Sequence, residues 1–294
     1  MANETILVTG ATGQVGRRLV PRLLSWREPG DAVRVLVRTR EAAQRFEALG
    51  AQAVVGDITE AADRKHALDG VALVVNAAAT FRDPGVAESG MYAVNRDAAV
   101  ALARESAQAG VRRFVQVSTI HVYGPGVGRP VREDDGLRAP DAGEGERHRV
   151  YPHSKRQAEE QIKALCAETG FDVITLRLPF VYGDGDPHID EVVPMMRAFP
   201  PAQRLPIAHH ADVAQAVVRL LDTPSPAHRI YNVVDDEAPD LATLFASVGA
   251  PRPDGSNAER ARAFDALLDG SRIREDLGFK PKFPRLKDAI AAGA

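Results

Sequence analysis

The 294-residue sequence predicts an α/β fold: a doubly wound parallel sheet followed by a small, mostly helical C-terminal subdomain. Three observations predict it. Short apolar, β-branched runs alternate with helical patterns from Thr5 to about Val234. The first run ends in a glycine-rich turn, Gly10-Ala11-Thr12-Gly13-Gln14-Val15-Gly16, which opens a helix. Residues able to bind or react follow the runs, at the carboxyl ends of strands, where such sheets hold ligands.

The elements follow in order. Thr5-Ile6-Leu7-Val8-Thr9 reads as a buried strand, and a helix runs from the glycine turn to about Ser25. Glycines there let the backbone turn tightly and approach a pyrophosphate, which then rests on the helix N-terminus. Gly10, Thr12, Gly13, Gln14, Val15 and Gly16 are therefore candidate cofactor contacts. Ala32-Val33-Arg34-Val35-Leu36-Val37 is the second strand. An acidic residue near its end would suit the ribose hydroxyls of NAD. The chain has Arg38-Thr39-Arg40 instead, and Arg38 can accept a 2′-phosphate, so NADP(H) is favoured over NAD(H), with a solvated arginine at the strand end as the competing reading.

Glu41 to about Leu49 reads as a helix, and Gln52-Ala53-Val54-Val55 as the third strand, ending at Gly56-Asp57-Ile58. Asp57 can accept from an adenine amino group while Ile58 packs on the ring. The competing reading of Asp57 is a helix N-cap. Val71-Ala72-Leu73-Val74-Val75 is the fourth strand and runs into Asn76-Ala77-Ala78, small enough to let a cofactor lie close. Gly90 to Ala109 reads as one long helix carrying Tyr92 and Asn95. Arg113-Phe114-Val115-Gln116-Val117 is the fifth strand and delivers Ser118 and Thr119.

Residues 124–149 are rich in Gly, Pro and charge and read as a loop over the substrate, with a solvated loop as the alternative. Val150-Tyr151-Pro152-His153-Ser154-Lys155 then starts a helix to about Glu168. Tyr151 and Lys155, four apart, share a helical face. Pro152 suits a first turn. The positive helix terminus and the Lys155 charge both favour a phenolate, which makes Tyr151 an acid or base near neutral pH. A sixth strand, Asp172–Arg177, continues through Leu178-Pro179-Phe180-Val181-Tyr182-Gly183 into a loop. His209 to about Leu221 is a helix with Asp212 in its first turn, and Tyr231–Val234 is a seventh strand. The tail consists of short helices with a turn at Gly278.

Composition excludes several classes. Net charge of −3 gives no reason to expect nucleic acid. Cys166 is the only cysteine, so no internal disulfide forms. His209-His210 lack the surrounding ligand spacing of a metal site, and none is expected. Met1-Ala2-Asn3-Glu4 lacks the basic region of a secretion signal, and no apolar run is long enough to span a membrane. A soluble cytoplasmic protein acting on a small molecule is the expectation.

The motifs Thr9-Gly10-x-x-Gly13-x-x-Gly16, Gly56-Asp57, Asn76-Ala77-Ala78, Asn95, Ser118-Thr119 with Val122-Tyr123-Gly124, and Tyr151-x-x-x-Lys155 stand in one order. Arg177 with Pro179, Val181-Tyr182-Gly183, His209-x-x-Asp212-Val213-Ala214 and Leu277-Gly278-Phe279 continue it. In this the chain resembles the extended short-chain dehydrogenase/reductase family, the NAD(P)-dependent epimerase/dehydratase group. The resemblance implies a Rossmann-type dinucleotide-binding domain over 1–183 and 209–235, and a substrate-binding subdomain over 184–208 and 236–294. It implies Tyr151 as acid/base, Lys155 on the nicotinamide ribose, Thr119 as catalytic hydroxyl with Ser118 beside it, and Asn95 in a proton relay. Pro179 and Val181 would border the nicotinamide. His121, Phe81 and Tyr182 are the substrate-facing candidates. The family's habit of pairing the helices that carry Asn95 and Tyr151 implies a homodimer.

Three departures narrow the expectation. Ile120-His121 stand where sugar dehydratases of the family carry Asp-Glu, so water elimination is disfavoured. The stretch between Tyr182 and His209 is short for a nucleotide-sugar enzyme. Arg38 is basic where many NAD-using epimerases are acidic. The favoured expectation is NADP(H)-dependent reduction of a ketone, or oxidation of the alcohol. A nucleotide-sugar epimerase and a non-catalytic NADPH-binding sensor are the alternatives.

Overall fold

A computed structural model describes residues 4–81, 85–139, 141–142 and 147–294. The readings placed on Met1–Asn3, and on residues 140 and 143–146 of the loop read as lying over the substrate, fall outside the described residues.

The elements alternate as expected. They are β1 (Thr5–Thr9), α1 (Gln14–Trp26), β2 (Ala32–Val37), α2 (Arg40–Ala48), β3 (Gln52–Val55), α3 (Ala61–Leu68) and β4 (Leu73–Asn76). Next come α4 (Glu88–Tyr92), α5 (Ala99–Gln108), β5 (Arg113–Thr119), α6 (Arg147–Thr169), β6 (Val173–Leu178) and β7 (Phe180–Tyr182). The chain ends with α7 (His188–Met196), β8 (Ile207–His209), α8 (His210–Asp222), β9 (Ile230–Asn232), α9 (Leu241–Ser247), α10 (Ala258–Ala261), α11 (Ser271–Leu277) and α12 (Leu286–Ala292). Seven strands form one sheet in the order β3-β2-β1-β4-β5-β6-β9, and β7 and β8 form a separate parallel pair. The β1–β2, β1–β4, β2–β3 and β4–β5 ladders are all parallel. The order reverses between β1 and β4, which opens a crevice at their carboxyl ends.

The chain divides into two compact units. Unit 1 comprises residues 1–118, 140–176 and 217–229; unit 2 comprises 119–139, 177–216 and 230–294. In unit 1, Leu7, Val74 and Phe114 of the sheet pack with Leu68, Leu102, Ile162 and Leu165 from α3, α5 and α6. β4 is buried along its whole length, so its run is continuously apolar rather than alternating. In unit 2, Phe180 and Ile207 of the β7–β8 pair pack with Met196, Phe199, Leu244, Phe245 and Phe283.

Four local expectations are corrected. The helix read over 90–109 is interrupted by a π segment, Ala93–Ala98, between α4 and α5. Its wider turn leaves no signature in apolar spacing, yet such segments gather at functional sites. Helix α6 starts at Arg147, so Tyr151 lies in the second turn, not at the terminus. Pro152 therefore stands inside the helix, and the dipole argument for Tyr151 weakens, since that field fades beyond the first turn. Phe180–Tyr182 is a strand, not a loop. Within the stretch read as a substrate flap, residues 124–139 are anchored. Val131 bridges to Leu268, Arg138 N and Ala139 N both donate to Val122 O at 3.1 Å, and Glu133 Oε1 accepts from Asn232 N at 2.8 Å.

One buried cation closes the back of unit 1. Arg113 donates to Asp172 at 2.7 Å, to Leu220 O and Thr223 O at 2.5 Å each, and to Pro224 O at 2.9 Å. It satisfies carbonyls at the end of α8 that have no intrahelical partner. Arg113→Leu leaves these buried carbonyls without their donor, while Asp172 keeps Arg229 at 2.6 Å, and is expected to lower unfolding free energy by about 3 kcal/mol. Urea denaturation followed by circular dichroism checks it; an unchanged midpoint contradicts the assignment.

Candidate active site

The glycine turn is built for close approach. Gly10 has φ +68°, and a Cβ there would stand 2.5 Å from the Ala77 carbonyl and from Ala78 N. A Cβ on Gly16 would lie 2.2 Å from Gly10 O, so this glycine lets α1 close onto the turn. Gly13 differs: the nearest atom to a Cβ would be Gly10 O at 3.3 Å. The fold itself does not demand Gly13 as strictly, and its bare backbone leaves a cradle in front of α1. The α1 N-terminus has no side-chain cap and no acid in its first turn. Its first-turn N–H groups and positive field suit a pyrophosphate, so the turn fits a dinucleotide. Thr12 and Gln14 are exposed and Val15 half-buried there. The Gln14 side chain is held by Arg17 and Arg18, the latter at 2.8 Å.

Arg38 follows β2 and is exposed, with no hydrogen bond or ion pair to any described residue. Arg40, by contrast, is paired with Glu47 at 3.0 Å, and Thr39 caps α2. Asp57 does not cap α3. Its Oδ1 accepts from Thr59 N and Thr59 Oγ1, both at 2.8 Å, closing a local turn beside half-buried Ile58.

A buried hydrogen-bond chain crosses the strand ends. Thr9 Oγ1 donates to Asn76 Oδ1 at 2.5 Å, and Asn76 Nδ2 donates to Gln116 Oε1 at 2.8 Å. Gln116 Nε2 donates to Val117 O at 2.9 Å, which also accepts from Lys155 Nζ at 2.9 Å. Both polar ends of the Asn76 side chain are thus engaged, so close approach at this place falls to the backbone of Ala77 and Ala78. The sequence reading missed Gln116, because a glutamine inside a strand carries no motif.

Lys155 is 2% exposed, and burial depresses its pKa to about 8, opposed by the charge of Glu159. Glu159 stands one further helical step along α6, is 7% exposed, and accepts from Ser118 Oγ. The Ser118 hydroxyl is therefore committed to Glu159, a partner that spacing alone could have suggested. Tyr151 is half-buried, and its ring lies 4.5 Å from that of Phe81, which is 39% exposed. The pairing brings the substrate candidate Phe81 against the acid/base candidate.

Asn95, in the π segment, is fully committed. Its Oδ1 accepts from Thr80 N at 2.8 Å, and its Nδ2 donates to Thr80 O at 3.0 Å and Ser154 Oγ at 3.1 Å. Ser154 Oγ donates to Tyr151 O at 3.0 Å. Asn95 holds the Tyr151 backbone and the segment leading to Phe81; each of its polar atoms already has a protein partner. Next to it, His153 Nδ1 lies 2.8 Å from the Tyr92 hydroxyl.

The remaining candidates belong to unit 2. Thr119 Oγ1 accepts from His121 N at 3.3 Å, which leaves its hydroxyl hydrogen to donate elsewhere. Val181 is buried in the β7–β8 ladder and Pro179 is half-buried. Tyr182, read as substrate-facing, is instead 3% exposed, and its hydroxyl donates to Asp235 Oδ2 at 3.0 Å. Its hydroxyl is thus committed to a buried carboxylate. Burial raises the pKa of Asp235 to about 8 and raises that of Tyr182. Among the described residues no group of His, Cys, Asp and Glu could hold a metal ion, and no helix is long and apolar enough to cross a membrane.

Lys155 carries a pH-dependent cost. Its folded pKa lies below the usual 10.5, so holding its proton in the fold costs stability below pH 8. That cost is relieved as pH rises from about 8 toward 10.5. Lys155→Met is expected to raise unfolding free energy at pH 7 by about 1–3 kcal/mol, with the gain shrinking toward pH 10.5. Urea titrations at both pH values check it; an equal effect at both removes burial as the cause.

Comparison with known proteins agrees with this geometry. Residues 6–233 match the NAD dependent epimerase/dehydratase family. A UDP-glucose 4-epimerase of Vibrio cholerae is 32% identical over 188 residues, 62% of this chain and 53% of that protein. A 4-hydroxy-2-methyl-3-oxo-4-farnesyl-3,4-dihydroquinoline-1-oxide ketoreductase of Stigmatella aurantiaca is 32% identical over 186 residues, 61% of this chain and 51% of the relative. The chain thus spans about half the length of these curated relatives. The structure of DesIV, a dTDP-glucose 4,6-dehydratase from Streptomyces venezuelae with NAD and TYD bound, shares the fold with a TM-score of 0.79 at 24% identity, covering 98% of this chain and 95% of that one. The Bordetella bronchiseptica enzyme WbmG in complex with NAD and UDP gives a TM-score of 0.77 at 24% identity, covering 99% and 92%. With its glycine turn, its strand order and its Tyr151–Lys155 helix, the chain belongs to the NAD dependent epimerase/dehydratase family.

Proposed function

We propose that the protein is an NADP(H)-dependent oxidoreductase that reduces a ketone or oxidises the corresponding alcohol. Lys155 carries this reading: a cation buried in unit 1, fixed to Val117 O and one helical turn from half-buried Tyr151. Bound, the nicotinamide supplies or accepts the hydride. The chain's own residues handle the proton and the oxygen. Tyr151 gives its proton to the oxygen of the carbonyl as that oxygen gains charge, and takes it back in oxidation. Lys155, still largely protonated at neutral pH, favours the phenolate between turnovers and donates to the nicotinamide ribose. Thr119 donates to the substrate oxygen. Asn95 and Ser154 position Tyr151, and Glu159 with Ser118 steadies the region around Lys155. The glycine turn holds the pyrophosphate and Arg38 the 2′-phosphate. The homodimer implied by the family resemblance belongs to this same proposal.

A second reading is a nucleotide-sugar epimerase. It is favoured by the 32% identity to the Vibrio cholerae UDP-glucose 4-epimerase, against which stands an equal identity to a ketoreductase. Net consumption of NADPH with a carbonyl compound separates the two, since an epimerase returns its cofactor to the starting state.

Tyr151→Phe is expected to lower kcat by roughly 100- to 10,000-fold while leaving the NADPH Kd unchanged. Stopped-flow turnover and fluorescence titration measure the two; full activity refutes the acid/base role. Arg38→Ala is expected to reduce the kcat/KM preference for NADPH over NADH by roughly 10- to 100-fold, the loss of one charge-assisted contact. An unchanged preference refutes the 2′-phosphate assignment.

A further inference from the structure

Helix α6 carries a charge that packing does not explain. Glu159 is 7% exposed, and its neighbours Ala158, Ile162 and Leu165 belong to the apolar core of unit 1. A carboxylate in such a place costs more than an apolar residue of similar size, unless a nearby cation needs it.

Strand β5 shows which cation that is. Lys155 Nζ donates to Val117 O at 2.9 Å, and Ser118 Oγ donates to Glu159 Oε1. Val117 and Ser118 are consecutive in β5, and Lys155 and Glu159 are four apart on α6. Residues four apart on a helix share one face. The ammonium and the carboxylate are thus tied to neighbouring points of one strand, each by its own hydrogen bond. Tyr151, Lys155 and Glu159 follow one another at this same spacing, so α6 carries the acid/base, the cation and a counter-charge in turn.

The cation has little other support. Lys155 is 2% exposed, so water does not stabilise its charge, and a carbonyl such as Val117 O offers only a partial one. β5 presents uncharged groups to it. Among the described residues Glu159 is the one charge that acts on Lys155, and it opposes the burial that holds the lysine pKa at about 8. Without that opposition a buried amine sheds its proton more readily. A neutral amine neither favours a Tyr151 phenolate nor makes a charge-assisted bond to a ribose.

We infer that Glu159 is a positioning residue that keeps Lys155 charged, through its place one turn beyond the lysine and its tie to Ser118. The inference rests on the oxidoreductase reading and deepens it, by naming what sustains the charge which that reading requires.

The test follows the Lys155 Nζ resonance of the full chain by ¹⁵N NMR across neutral to alkaline pH. Its absence in Lys155→Met assigns it, and neither cofactor nor substrate is needed. The native midpoint is expected at about 8. Glu159→Gln keeps an oxygen for Ser118 but removes the charge, and is expected to lower the midpoint by roughly one pH unit or more. Ser118→Ala releases the carboxylate from its fixed place, and is expected to lower the midpoint by less. The NADPH Kd, from fluorescence titration, is expected to weaken roughly tenfold as each protein passes its own midpoint, and so at lower pH in Glu159→Gln. A native midpoint in Glu159→Gln overturns the inference; where that variant does not fold, a native midpoint in Ser118→Ala does the same. If the midpoint falls as expected but the native chain binds no NADPH, the role of Glu159 stands and the oxidoreductase reading falls. If NADPH binds and the midpoint does not move, the inference falls alone.

Discussion

The structure depends on one buried chain of hydrogen bonds, from Thr9 through Asn76 and Gln116 to Val117 O and Lys155. It joins the ends of β1, β4 and β5 to helix α6 inside unit 1. Each buried polar group must be satisfied or it costs the fold stability; Val117 O accepts from both Gln116 Nε2 and Lys155 Nζ, so the Thr9–Asn76–Gln116 links hold the strand ends together even without the lysine. That requirement fixes the strand that leads into the glycine turn and the lysine of the proposed proton-transfer site by the same set of contacts.

Around this chain the polar side chains divide into those that hold and those that remain available. Asn95, Ser118 and Asn76 carry chemical functions that a motif would assign to reaction or binding. Here their atoms are taken by Thr80 and Ser154, by Glu159, and by Thr9 and Gln116. What remains toward a ligand is the uncapped start of α1 and the exposed Arg38 guanidinium. The π segment serves this division, since its wider turn carries Asn95, which bonds both polar groups of the Thr80 backbone.

Unit 2 follows a different logic. Three of its carboxylates are internal: Asp212 accepts from Phe283 N at 3.1 Å, Asp235 from Tyr182, and Asp186 lies 2.6 Å from His210 Nε2. They tie the β7–β8 pair and the tail together, and Tyr182 is spent on that task.

Much of this was legible in the sequence. The strand–turn–helix start, the alternation of strands and helices, and the Tyr151–Lys155 spacing depend on local backbone geometry and on periodic burial, which neighbouring residues encode. The glycine turn is the clearest case, since Gly10 and Gly16 are required by contacts a few residues or one strand away. Other features were hidden because they arise between residues distant in the chain. The start of α6 at Arg147, the π turn at Asn95, the burial of Tyr182 and the partners of Ser118 and Gln116 depend on which segments meet. The sequence by itself determined the fold and the family motifs, because these rest on local backbone geometry and periodic burial. Tertiary structure alone decided which polar side chains are free to use, because hydrogen-bond satisfaction is settled only when distant groups are brought together and buried.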